Sequence, residues 1–93
     1  MGIEYSVRFV VTDRASVEAI LKRLGGQVAN RSAGECYEFR RDPSSTEMPD
    51  GSAMLEEGGL YFCDHGGYGR EYLGRLVEAL VGTFGVVTIR EYE

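Results

Sequence analysis

Apolar and polar side chains alternate from the third residue of the chain. Ile3, Tyr5, Val7, Phe9 and Val11 fall on one side, and Glu4, Ser6, Arg8, Val10 and Thr12 on the other. A period of two, rich in β-branched and aromatic residues, predicts a strand over 3–12 with one buried side. The period then lengthens. Val17, Ile20, Leu21 and Leu24 recur at helical spacing, after an N-cap oxygen from Thr12 or Asp13 and before a stop at Gly25-Gly26. Glu18 and Lys22 stand four apart on the wet side of that helix, in the favourable order. Gln27 to Gly34 reads as a polar connection. Glu35 to Arg41 alternates again, with Tyr37 and Phe39 opposed to Cys36, Glu38 and Arg40, which predicts a second strand. Asp42 to Ser52 carries both prolines, Pro43 and Pro49, among Ser, Thr, Asp and Gly, and reads as a surface loop.

The second half is punctuated most clearly between Glu56 and Phe84. Ala53 to Glu57 begins or extends a third strand, Gly58-Gly59 marks a bulge or turn, and Leu60 to Asp64 continues the strand. A glycine-rich turn, His65-Gly66-Gly67-Tyr68-Gly69, then feeds a helix whose apolar positions are Leu73, Leu76, Val77, Leu80, Val81 and Phe84. Gly82 or Gly85 closes it. Val86 to Tyr92 is a last strand, with Val87 and Ile89 opposed to Val86, Thr88, Arg90 and Tyr92.

The order βαββαβ predicts an α+β two-layer sandwich over 1–93, a single ferredoxin-like domain with a four-stranded antiparallel sheet and two helices on one face. Tyr5, Val7, Phe9, Tyr37, Phe39, Leu60, Phe62, Val87 and Ile89 then lie under the helices. The bare face displays Arg8, Val10, Cys36, Glu38, Arg40, Tyr61, Cys63, Arg90 and Tyr92. A one-residue slip exchanges the two sets, and Leu60 to Asp64 and Val86 to Tyr92 are most exposed to that error because both of their faces hold apolar residues.

Composition narrows the function classes. A chain of 93 residues buries only about 60–65% of the surface it exposes when unfolded, which leaves one modest core and no room for a large cofactor. Fifteen acidic against ten basic residues, a net charge of -5 and a single lysine, Lys22, argue against nucleic-acid binding, since clustered cations supply most of that affinity. No apolar run approaches the roughly 20 residues of a membrane span. Met1 to Thr12 lacks the unbroken apolar region of a secretory signal, so the expected location is cytoplasmic. Cys36 and Cys63 are too few for a disulfide framework.

Three clusters carry candidate chemistry. Cys63, Asp64 and His65, the only histidine, place a thiol, a carboxylate and an imidazole at a strand end. Cys63 and His65 share a strand face, and Cys36 on a neighbouring strand would complete a three-ligand metal set. As a catalytic pair, Cys63 and His65 lack an orienting third group and an oxyanion device. The turn Gly66, Gly67, Gly69, Arg70 precedes a helix N-terminus, where free N–H groups and the helix dipole favour anions; it matches neither the dinucleotide fingerprint nor the P-loop. RNA-recognition domains share the βαββαβ order, but Glu57 stands where a basic residue is needed and the first strand offers no aromatic on the bare face. An acylphosphatase-like loop fails too, because Thr12-Asp13-Arg14 supplies no glycines. The third cluster is the bare face itself, where Arg8, Arg40, Tyr61, Arg90 and Tyr92 have the aromatic and arginine character of a contact surface. The expectation is a non-enzymatic binding or regulatory module without a cofactor, acting as a homodimer or on a protein partner such as an inhibited toxin or enzyme. The alternative is a small metal-dependent protein or enzyme built on Cys63, Asp64, His65 and the glycine turn.

Overall fold

A computed structural model describes residues 2–31, 34–42 and 44–92. The elements follow the order β1 (Ile3–Arg8), α1 (Arg14–Arg23), β2 (Gln27–Arg31), β3 (Gly34–Phe39), β4 (Gly51–Glu56), β5 (Gly59–Asp64), α2 (Gly69–Phe84) and β6 (Thr88–Glu91). Among the described residues the class is α+β: one six-stranded sheet in the order β2-β3-β4-β5-β1-β6, antiparallel at every step, with two helices.

The sheet has six strands where the sequence pattern predicts four, for two local reasons. Gln27 to Gly34, expected as a connection, supplies β2 and the first residue of β3; Ser32 and Ala33 of that stretch lie outside the described residues, as does Pro43 of the following loop. β2 lies at the sheet edge, where one-sided burial is weak and Val28 stays exposed, so no alternation marks it. The expected third strand is a hairpin. Glu56 pairs with Gly59, and the chain reverses through Glu57-Gly58 with Gly58 at φ 78°, a backbone region only glycine adopts cheaply. Gly59 has no room for a side chain because the backbone of Val7 and Arg8 lies against it.

Both helices cover the same face. Asp13 starts α1, its carboxylate accepting from the Ala15 N–H at 3.0 Å and from the Ser16 hydroxyl at 3.2 Å, which satisfies groups the first helical turn leaves open. The apolar stripe Val17, Ile20 and Leu21 of α1 joins Leu76 and Leu80 of α2 in one cluster with Val7, Phe9, Tyr37, Phe39, Ala53, Leu60 and Phe62. The register explains the shared face: Val7 stands opposite Leu60, Phe62 opposite Ala53, and Ala53 opposite Tyr37. Burying each Val, Leu, Ile or Phe side chain of this cluster contributes about 1.5–3 kcal/mol before the entropy of ordering is subtracted. Phe39 packs against Phe62 and Tyr72 with ring centroids 6.1 and 5.2 Å apart, and Phe9 stacks on Phe84 at 4.9 Å. Gly85, at φ 90°, ends α2.

The expected buried set holds from Val7 to Phe62, with Tyr5 partly buried, and loosens at the last strand; of the residues expected on the bare face, Cys36, Glu38 and Cys63 are buried instead, because neighbouring strands and side chains close over them. Every residue of β6 is exposed, Ile89 included. Val87 precedes the strand and only partly packs on the core. β6 is the other sheet edge, next to β1 alone, and the helical layer does not reach over it.

Candidate functional site

The face away from the helices carries Glu4, Ser6 and Arg8 of β1, Tyr61 and Cys63 of β5, Ser52, Met54 and Glu56 of β4, and Arg90 of β6, as two-residue alternation requires. Its centre is a connected polar and aromatic network. The Tyr61 hydroxyl donates to Glu4 Oε1 at 2.6 Å, and its ring lies 5.7 Å from that of Tyr92. The Tyr92 hydroxyl donates to both Glu56 carboxylate oxygens, at 3.3 and 3.4 Å. Glu56 also faces the Arg8 guanidinium at 3.5 Å. Arg8 in turn donates to Ser6 Oγ at 2.9 Å and to the Glu57 carbonyl at 2.6 Å. Burial, then the hydrogen bond to Glu4, push the Tyr61 phenol well above the ordinary tyrosine range.

Four of the five predicted contact residues therefore gather on β5, β1, β6 and the residue just after it, Tyr92. Ser6, Arg8, Arg90, Glu91 and Tyr92 line a shallow groove at that edge. Arg40 does not join them. It follows β3, on the far side of β4, where it donates to Glu38 Oε1 at 2.8 Å and to the Glu47 carbonyl. Val10 lies beyond the end of β1 and is exposed. Glu4, Ser6 and Glu56 complete the network and escape sequence reasoning, because a glutamate on a half-buried strand reads as solvated until the register supplies its neighbour.

The predicted metal set is not assembled. Cys63 Sγ approaches His65 Nδ1 at 3.6 Å, and Ser52 Oγ lies 3.0 Å from His65 Nε2. Cys36, on β3, is separated from β5 by the whole of β4, which puts it about 10 Å away at usual strand spacing. β3 and β5 are not neighbours, because the β4–β5 hairpin puts β4 between them. Among the described residues no group of three or more His, Cys, Asp and Glu is placed to hold a metal ion. Burial pushes the Cys63 thiol up, against a smaller downward effect of Tyr61, which disfavours the nucleophilic thiolate.

The glycine turn is already filled by the chain's own carboxylates. Asp64 Oδ1 accepts the Gly66 N–H at 2.9 Å, and Asp50 accepts the His65 N–H through its carbonyl and the Arg41 N–H through its carboxylate. A Cβ at Gly67 would stand 2.7 Å from Asp50 Oδ1, while Gly69 sits directly against Asp64 and Asp50. An incoming anion at Gly66, Gly67, Gly69 and Arg70 would meet two carboxylates, so the geometry opposes the predicted anion site. Gly66 and Gly67, at φ 110° and 56°, serve the reversal from β5 into α2. Asp64 is spent on that turn and does not face Cys63 and His65 as a third catalytic group.

Comparison with protein-family models, with curated proteins and with solved structures returns no match. No helix is long and apolar enough to cross a membrane among the described residues.

Proposed function

We propose that this chain is a small cytoplasmic, non-enzymatic module that binds another protein through the sheet face opposite the helices. The observation that carries the reading is the cluster of Arg8, Tyr61, Arg90 and Tyr92 beside a groove, on a face that the two helices leave uncovered. Arginine and tyrosine combine large contact area with directional hydrogen bonding and are enriched where proteins meet. The network Glu4–Tyr61–Tyr92–Glu56–Arg8 holds Arg8, Tyr61 and Tyr92 in place before a partner arrives, which lowers the ordering cost of association. Within this proposal β6-β1-β5-β4 is a ferredoxin-like core, and the β2–β3 hairpin extends it at the edge next to β4. The alternative enzyme or metal reading on Cys63, Asp64 and His65 is opposed by the raised thiol and by the engagement of Asp64 in the turn.

The test is quantitative affinity capture from the native cell with the wild type, with Tyr61→Glu and with Arg8→Glu. Proteins retained by the wild type and lost from both folded variants support the proposal. A partner set unchanged by either substitution contradicts it.

A further inference from the structure

β6 pairs with β1 on one side and, among the described residues, with nothing on the other. The ladder to β1 fixes which of its backbone groups face outward. The Tyr92 N–H donates to the Glu4 carbonyl at 2.9 Å, in continuation of the Arg90–Ser6 and Thr88–Arg8 pairs. In an antiparallel ladder such pairs alternate. The N–H and C=O groups of Ile89 and Glu91 therefore point away from the sheet.

Edge strands are blunted by shortness, charged side chains, proline, a bulge or a covering loop; β6, four residues long with Arg90 and Glu91, carries the first two and, among the described residues, lacks the rest. Residues 86–92 contain neither lysine nor proline, and none has a positive φ. Three large apolar side chains of the segment are open instead: Val86 is 79% exposed, Tyr92 42% and Ile89 40%.

We infer that β6 pairs antiparallel with β6 of a second copy across a two-fold axis at Ile89, joining two sheets into one. The outward groups belong to odd-numbered residues, so odd must face odd. Centring the pair on Arg90 sets guanidinium against guanidinium in the closest type of pair, and centring it on Glu91 opposes two carboxylates; like charges directly opposite are destabilising. Centring on Thr88 puts Glu91 against Gly85, whose φ of 90° has left the strand conformation. The Ile89 register avoids all three. Within the strand it sets Ile89 on Ile89 and Thr88 on Arg90; just beyond the strand ends it brings Val87 toward Glu91 and Val86 toward Tyr92, whose ring keeps its packing on Tyr61. The segment is complementary to itself, which is what an isologous contact requires, and the contact closes at two copies. This inference does not rest on the proposed protein-binding role of the sheet face.

Sedimentation equilibrium combined with amide hydrogen exchange tests it. The wild type should sediment as a dimer, with the Ile89 and Glu91 amides slowing as concentration rises. Ile89→Lys and Ile89→Glu should each weaken the dimer about tenfold or more by opposing like charges, and mixing the two variants should restore it. Glu91→Pro removes an outward N–H that the β1 ladder does not use, so it should yield a folded monomer. A monomeric wild type at high concentration overturns the inference. So does a dimer whose Ile89 and Glu91 amides exchange as fast as in the dilute monomer, or one indifferent to Glu91→Pro.

Discussion

Tyr61 and Glu4 are joined across the β1–β5 ladder by a 2.6 Å hydrogen bond, although their backbones are not partners. Tyr61 stands opposite Ser6 and Glu4 opposite Cys63, so the bond runs diagonally over the uncovered face. It ties the strand that begins the chain to the one that leads into α2, and it fixes the ring against which Tyr92 packs.

The bond predicts a pH dependence with a defined sign. Burial and Glu4 raise the folded-state phenol above its ordinary value of 10.0, so the stabilisation is complete below that value. It is lost as pH rises past the unfolded value toward the folded one. Tyr61→Phe should cost roughly 0.5–1.5 kcal/mol at neutral pH and should flatten the alkaline decline, as read from denaturant melts at pH 7 and above pH 10. An absorbance titration should lose one late-ionising tyrosine in that variant and keep another, Tyr37, whose burial also raises it.

Cys63 should behave as a covered thiol. Its sulfur lies beneath Gly2, where even a Cβ would come within 2.7 Å, and burial raises its pKa. Alkylation by iodoacetamide near pH 8, followed by mass spectrometry, should run at least about tenfold slower in the folded protein than in denaturant. Equal rates would show an accessible thiolate and revive a chemical role for the Cys63–His65 pair.

The glycines of the second half divide into two kinds that stability measurements separate. Gly69→Ala forces a methyl group against Asp64 and Asp50 and should destabilise by about 1–3 kcal/mol. Gly74→Ala lies within α2 with nothing inside 4 Å of the new carbon. It should stabilise by roughly 0.5–1 kcal/mol through helix propensity alone. Urea denaturation of both variants checks the pair.

These residues also show how far the sequence could be read. α1 and α2 were legible because their apolar stripes are one-sided, and Asp13 and Gly85 mark boundaries by chemistry that is local. Alternation alone puts Arg8, Tyr61 and Arg90 on the face away from the helices, where the register also sets them. The β4–β5 hairpin is not legible in the sequence, since Gly58-Gly59 is compatible with a bulge as well as a reversal, and the choice depends on whether Glu56 pairs with Gly59. That pairing is long-range information. The same lack hid β2, and with it the distance between Cys36 and Cys63. Asp50 and Asp64 were invisible as occupants of the glycine turn because Asp50 is brought there by the β4–β5 pairing, in which Gly51 meets Asp64.

The most direct measurement is photo-crosslinking in the native cell from two positions, Met54 on the uncovered face opposite Tyr61 and Glu78 on the exposed side of α2. The account predicts adducts with another protein from Met54 and none from Glu78. Adducts from Glu78 with none from Met54 would place the working surface on the helical layer and contradict it.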